Sequence, residues 1–104
     1  MILVTTDTVP GKEIVKVMGL VRGNTIRARH MGKDIMAGFK NIVGGEIADY
    51  TKMMAESREQ AIDRLIEDAE ALGANAVVGV KFTTTSMMQS SAELLVYGTA
   101  VELA

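Results

Sequence analysis

The one histidine of this chain, His30, stands four residues before Asp34. On a helix this spacing places an imidazole beside a carboxylate, and an oligomer could bring several such pairs together as a metal site. Zinc and heavier metals nevertheless favour clusters of imidazoles and thiolates, and the chain contains no cysteine. We therefore name His30 and Asp34 as candidate metal ligands, although an ordinary surface contact explains their spacing better.

Two other sets of side chains are candidate metal ligands. Eight methionines, including the pairs Met53–Met54 and Met87–Met88, carry thioethers that suit Cu(I). Neighbouring residues on a strand point to opposite faces, and Met53–Met54 falls on the apolar stripe of a predicted helix, so packing explains the methionines better. Asp63, Glu67 and Glu70 share a helix face, as weak ligands of a hard cation would, but solvated helices commonly carry such faces.

The hydroxyl groups form no recognisable catalytic arrangement. Ser57 and the run Thr83–Ser86 have no histidine beside them in sequence, so the pattern supplies no general base for a nucleophile. Gly44–Gly45 precedes Glu46 without the spaced glycines and the Lys-Ser/Thr of a phosphate-binding loop. We predict that the protein is not an enzyme, and the sequence assigns it no cofactor.

A small-ligand pocket is the remaining candidate site. Arg58 lies close to the apolar stripe of a long helix predicted over residues 46–72, where a guanidinium needs an acidic or carbonyl partner. A salt bridge, within the subunit or to a neighbour, explains this position most simply, and a ligand at a subunit boundary is the functional alternative. The residues that we expect to line such a pocket are polar, charged or aromatic: Asn24, Thr25, Arg27, Lys40, Asn41, Glu46, Tyr50 and Arg58.

Charge is distributed unevenly along the chain. Five basic residues and one acid lie between Arg22 and Lys40, whereas eight acids and three basic residues lie between Glu46 and Glu70. The basic segment could contact nucleic acid, but the acidic helix can satisfy it within one subunit or between two. Aromatic residues make up only 4% of the chain, which leaves few stacking platforms for bases. We therefore do not expect nucleic acid as a partner.

Length and composition predict one globular domain over residues 1–104. Apolar residues make up 48% of the chain, which argues against disorder. No apolar run approaches the roughly 20 residues that span a bilayer, so we expect no membrane contact. The β-rich segment Met1–Thr6 lacks the basic start and cleavage site of a signal peptide, and we expect a cytoplasmic protein.

The pattern predicts strands at both ends of the chain and two helices between them. Met1–Thr6 and Ile14–Val21 are strand-like, and we expect the glycine and asparagine of Arg22–Thr25 to interrupt the second strand. Apolar spacing predicts a short helix over residues 30–42. A long helix over residues 46–72 follows, capped by Gly73 and about 40 Å long at ~1.5 Å per residue.

Two strands close the sequence, over Ala76–Phe82 and Ala92–Leu103, with a polar connection, Thr83–Ser91, between them. The last strand carries apolar residues on both faces. Because one helix layer covers only one side of a small sheet, the second apolar face needs another partner. The overhanging helix and these strands together predict a homo-oligomer.

Four short motifs occur within or between these predicted elements: Gly-Asn-Thr at 23–25, Gly-Gly-Glu at 44–46, Gly-Ala-Asn-Ala-Val-Val-Gly at 73–79 and Tyr-Gly-Thr-Ala-Val at 97–101. Together they resemble the YbjQ family of small proteins over essentially the whole chain. The resemblance implies an α+β fold of order β-β-α-α-β-β, in which a small antiparallel sheet packs on one long helix and a short one. It also implies a ring of five subunits. The heavy-metal-binding label of that family is a conjecture.

The function that these observations favour is that of a non-enzymatic, ring-forming cytoplasmic protein. We expect it to bind a metal or a small molecule in the assembled ring. The alternative is a structural scaffold or protein-interaction module that binds no ligand.

Overall fold

The computed structural model describes residues 1–28, 45–88 and 91–104, with side chains described for residues 1–26, 51–85 and 92–104. The described chain forms four strands and one helix: β1 (Ile2–Leu3), β2 (Ile14–Ala28), α1 (Gly45–Ala71), β3 (Ala76–Met88) and β4 (Ser91–Leu103). The α+β class is as predicted. The predicted short helix over residues 30–42 lies outside the described residues.

The four strands form one mixed sheet in the order β1-β3-β4-β2. Among the three long strands, β4 pairs antiparallel with both β2 and β3, as predicted. The expectation of a fully antiparallel sheet is wrong because β1 pairs parallel to β3, with Ile2 opposite Ala76 and Leu3 opposite Val77. The first strand is also shorter than the predicted Met1–Thr6, since β1 covers only two residues.

Strand β2 continues through the segment that was expected to interrupt it. Residues 22–25 keep the register with β4, from Arg22 opposite Tyr97 to Thr25 opposite Leu94. Gly23 has a packing role here and makes no turn, because α1 crosses directly over it. A Cβ on Gly23 would stand 2.5 Å from the backbone nitrogen of Leu65 and 3.0 Å from Cβ of Arg64.

Strand β3 likewise extends beyond the predicted Phe82. Residues 83–86 pair with β4, from Thr83 opposite Leu95 to Ser86 opposite Ala92. The expectation of a polar connection over Thr83–Ser91 is therefore wrong for residues 83–88. Threonine is β-branched and suits a pleated surface, so a run of threonines can continue a strand whose side chains are exposed to solvent.

Helix α1 ends as the sequence predicts. Gly73 has a φ of 80°, a left-handed conformation that glycine adopts without steric cost. The Gly73 amide donates to the Glu70 carbonyl at 2.9 Å, and the Ala74 amide donates to the Ala69 carbonyl at 3.1 Å. These two bonds form a Schellman motif that satisfies carbonyls at the end of the helix.

Two apolar clusters lie on opposite sides of the sheet. On the first side, the helix residues Ala61, Leu65 and Ala69 pack with buried side chains from β2, β3 and β4. On the second side, Val4, Val9 and Ile14 pack against the strand residues Ala76, Val78, Val101 and Leu103. We call this second side of the sheet the far face. The N-terminal segment covers one end of it.

Further along the far face, no described element covers the sheet. Leu20, Arg22, Asn24 and Ile26 of β2 are exposed there. Tyr97 and Leu95 of β4 are half-buried on the same face, between the exposed side chains of β2 and the strand β3. We call this part of the far face the open face. In the described part of the chain, no helix is both long and apolar enough to cross a membrane.

Candidate functional site

Asn24 and Thr25, two of the residues expected to line a pocket, lie on opposite faces of β2. Asn24 is on the open face, where its side-chain amide donates to the Glu93 carboxylate at 3.0 Å. Thr25 is 2% exposed under α1, and its hydroxyl donates to the Ser57 carbonyl at 3.4 Å. The structure therefore does not bring these two side chains together, because successive residues on a strand alternate.

Arg58 is the other expected pocket residue whose side chain is described. It is exposed on α1, one position after Ser57. Ser57 is fully buried, and its hydroxyl donates to the Met53 carbonyl at 3.0 Å. Thr25 thus approaches the helix at the turn that carries Arg58, although the threonine is buried and the arginine faces water.

The remaining candidates fall outside the described side chains. Arg27 lies in β2, and Glu46 and Tyr50 lie in α1, with only their backbone described. Lys40, Asn41, His30 and Asp34 lie outside the described residues altogether. The expected pocket and the expected metal ligands therefore remain predictions.

The outer edge of β2 is held by two side chains of α1. The Arg22 amide donates to the Asp68 carboxylate at 3.1 Å, and the Arg64 guanidinium donates to the Asn24 carbonyl. An i,i+4 pair such as Arg64 and Asp68 suggests a bond across the helix surface. Here both side chains instead bind backbone groups of an edge strand, which are otherwise free to pair with another chain.

A row of three side chains crosses the open face. Arg22 of β2 and Lys81 of β3 both stand opposite Tyr97 of the central strand β4. Opposed residues on neighbouring strands have Cβ atoms about 5 Å apart, so the three side chains stand next to one another. Both cations are exposed and the tyrosine is half-buried. We call this set the Arg22–Tyr97–Lys81 row.

The Lys81 end of this row depends on an irregularity in β3. Val77 stands opposite Ala100, and both side chains pack under α1. In a regular strand Lys81 would lie on the same side of the sheet as Val77, because it follows four residues later. The register with β4 shifts between Val78 and Lys81, where Gly79 has a φ of 63°. This bulge turns Val80 into the core and Lys81 onto the open face.

The Arg22 end depends on a matching irregularity in β2. The register with β4 shifts between Val17 and Gly19, and Gly19 has a φ of 127°. Without the shift, Arg22 would stand opposite the buried Val96 and face α1. The shift sends Val21 into the core and Arg22 onto the open face. Isolated glycines inside strand patterns, here Gly19 and Gly79, are the sequence signal for such bulges.

The carboxylates of the described residues are dispersed and form no group of metal ligands. No three of their histidine, aspartate or glutamate side chains lie close enough together to hold a metal ion. Asp63, Glu67 and Glu70 are all exposed on α1 and form no such group.

These features describe a small α+β protein in which one long helix covers one side of a mixed four-stranded sheet. A family model named YbjQ, described as "Putative heavy-metal-binding", matches residues 1–104. The chain therefore belongs to the YbjQ family.

Relatives from several organisms are similar to nearly the whole chain. The chain is 56% identical over 103 residues to a UPF0145 protein of Methanosarcina acetivorans, covering 99% of this chain and 97% of the relative. It is 59% identical over 103 residues to a UPF0145 protein of Clostridioides difficile, covering 99% and 92%. These names state no activity.

A solved structure shares the fold. It is the crystal structure of a protein of unknown function of the DUF74 family from Pediococcus pentosaceus. The TM-score is 0.66, and the match covers 100% of this chain and 98% of that one. At 17% sequence identity the likeness concerns the fold alone.

Proposed function

We propose that this protein assembles with further copies of itself and binds a small molecule at the boundary between copies. The observation that carries the assembly is the exposure of large apolar side chains on two strands. Leu20 and Val17 of β2 are 69% and 64% exposed, and Phe82 of β3 is 47% exposed. Leu20 and Val17 share the far face of β2, whereas Phe82 stands opposite Val96 on the side of α1. Apolar surface left exposed on the far face favours contact with a partner.

The shape of the protomer supports the same proposal. Its Cα radius of gyration is 17.1 Å, and its principal extents are 55 × 24 × 18 Å. A compact domain of about 100 residues has a radius of gyration near ~13 Å. An elongated subunit with part of its sheet uncovered gains apolar burial by packing against copies of itself. The number of copies that we propose is five, as the family resemblance implies.

Ligand binding is the second part of the proposal. Polar and charged groups interrupt the apolar surface on the open face, where a neighbouring copy would enclose them. Because α1 lies on the other side of the sheet, Glu46, Tyr50 and Arg58 would have to come from the neighbouring copy, and the expected residues Arg27 and Lys40 would complete the boundary. The family description favours a metal as a second candidate ligand, held by His30 and Asp34 contributed by several copies. A scaffold that binds no ligand is the alternative function.

We further propose that the protein is cytoplasmic and has no catalytic activity. The full burial of Ser57 supports the second statement, because that hydroxyl is bonded to the Met53 carbonyl and has no access to a substrate. The relatives' names mention no enzymatic activity.

The assembly is tested by light scattering on the wild-type protein and on the variants Leu20→Glu and Phe82→Glu. We expect a wild-type mass that is a multiple of 11.1 kDa and a lower mass for at least one variant. The control Lys52→Glu changes an exposed residue of α1 and should keep the wild-type mass. Far-UV circular dichroism checks that the variants remain folded. A monomeric wild-type protein would contradict the proposal.

A further inference from the structure

The Arg22–Tyr97–Lys81 row places three hydrogen-bond donors at one level of the open face. Strands lie about 4.8 Å apart, so the Cα atoms of Arg22 and Lys81 are separated by roughly 10 Å with Tyr97 midway. A guanidinium, a phenol hydroxyl and an ammonium are therefore carried by directly opposed positions of three adjacent strands. One oxyanion above the phenol lies within reach of all three.

The rows on either side of these residues add neutral hydrogen-bonding groups and apolar contacts. Towards one end of the sheet, Thr99 stands opposite the exposed Leu20. Towards the other end, Leu95 lies between Asn24 and the exposed Thr83. The two cations are thus bordered by surface that suits the uncharged part of a small ligand.

The charge pattern around the row favours a small anion over a polymer. Four residues along β4 from Tyr97, Glu93 occupies the same face and accepts a hydrogen bond from Asn24. A polyanion lying along the strands would meet this carboxylate after leaving the row. The positive charge is therefore local, whereas nucleic-acid surfaces extend it over many residues.

We infer that the Arg22–Tyr97–Lys81 row binds the oxyanion group of a small molecule, either a phosphate or a carboxylate. This inference deepens the proposed small-molecule binding and rests on that proposal. If a second copy packs over Leu20, the two cations lose water and need a negative partner. An oxyanion held by Arg22, Lys81 and the Tyr97 hydroxyl supplies it.

The test is isothermal titration calorimetry with inorganic phosphate, and separately with acetate, at constant ionic strength. The variants are Arg22→Ala, Lys81→Ala and Tyr97→Phe, and the matched control is Lys16→Ala, an exposed cation on β2 outside the row. We expect the dissociation constant of the preferred anion to rise at least tenfold in each alanine variant, less in Tyr97→Phe, and not in Lys16→Ala. Phosphate binding alone indicates a phosphorylated ligand, and acetate binding alone a carboxylate.

Failure of the inference differs from failure of the assembly. A wild-type protein that binds neither anion, or one that Lys16→Ala weakens as much as Arg22→Ala, would overturn the inference. An assembly that binds no anion and dissociates in Arg22→Ala or Lys81→Ala would also overturn it, by assigning the cations to carboxylates of a neighbouring copy. A monomer that binds phosphate through the row would support the inference and refute only the assembly.

Discussion

Gly23 of β2 lies directly beneath Leu65 of α1, so closely that a Cβ on the glycine would stand 2.5 Å from the leucine's backbone nitrogen. Two backbones meet here without an intervening side chain. The helix therefore sits on the sheet at a distance that only glycine permits, and the Asp68 and Arg64 contacts to β2 depend on that distance.

Gly23→Ala is predicted to destabilise the protein by about 3 kcal/mol or more, because backbone atoms of α1 must move to admit the methyl group. Urea denaturation followed by circular dichroism measures the change. Gly73→Ala is the comparison: no atom lies within 4 Å of its Cβ position, so only the positive φ opposes alanine and we expect a cost of about 1 kcal/mol. Equal losses in the two variants would refute the close-approach argument.

Asp68→Ala is predicted to reduce the free energy of unfolding by about 1 kcal/mol, because the Arg22 amide loses its acceptor. It should also expose the edge of β2 and promote aggregation. Asp63→Ala, on the exposed side of the same helix, is the control and should change stability by less than about 0.5 kcal/mol. Thermal unfolding with a light-scattering readout records both effects. Indistinguishable variants would show that the edge contact contributes nothing.

Thr25 is predicted to act as a buried packing residue. Thr25→Val removes a long hydrogen bond of 3.4 Å and should cost only about 1 kcal/mol. Thr25→Asp would bury an unpaired carboxylate and should cost more than about 3 kcal/mol. Chemical denaturation compares the two variants. Tolerance of the aspartate would show that position 25 is open to water.

If the protein binds a metal, we predict that His30 and Asp34, which lie outside the described residues, supply the ligands. If Zn²⁺, Ni²⁺ or Cu⁺ raises the thermal midpoint, His30→Ala should abolish the shift, since the described residues contain no metal-holding group. Differential scanning fluorimetry with and without EDTA makes the comparison. A shift that survives in His30→Ala would exclude His30 as a ligand.

The sequence predicted the elements whose signals are local. The 3.6-residue apolar period identified α1, and Gly73 identified its end. The predictions failed where tertiary contacts determine the local structure. Gly23 suggested a break in β2, yet the strand is continuous and the glycine allows α1 to pack closely on it. Thr83 suggested a loop because it is polar, although pairing with Leu95 keeps it in β3.

The candidate site was harder to predict than the fold. Asn24 and Thr25 are adjacent in sequence and were both predicted to line one pocket, but strand alternation places their side chains on opposite faces of the sheet. Arg22, Lys81 and Tyr97 are far apart in sequence and become neighbours only through two register shifts. A register shift of one residue moves every following side chain of the strand from the core to the open face, or the reverse. The sequence alone does not fix where such a shift occurs.

The most direct test of the central claim is a native mass spectrum of the untagged protein purified without chelators. We predict a fivefold mass that carries a stoichiometric increment of a bound small molecule or metal, and that increment would identify the ligand by weight. A bare fivefold mass that does not change when phosphate, Zn²⁺ or Cu⁺ is added would favour the scaffold alternative over ligand binding. A monomer of 11.1 kDa would contradict the assembly on which the proposed function rests.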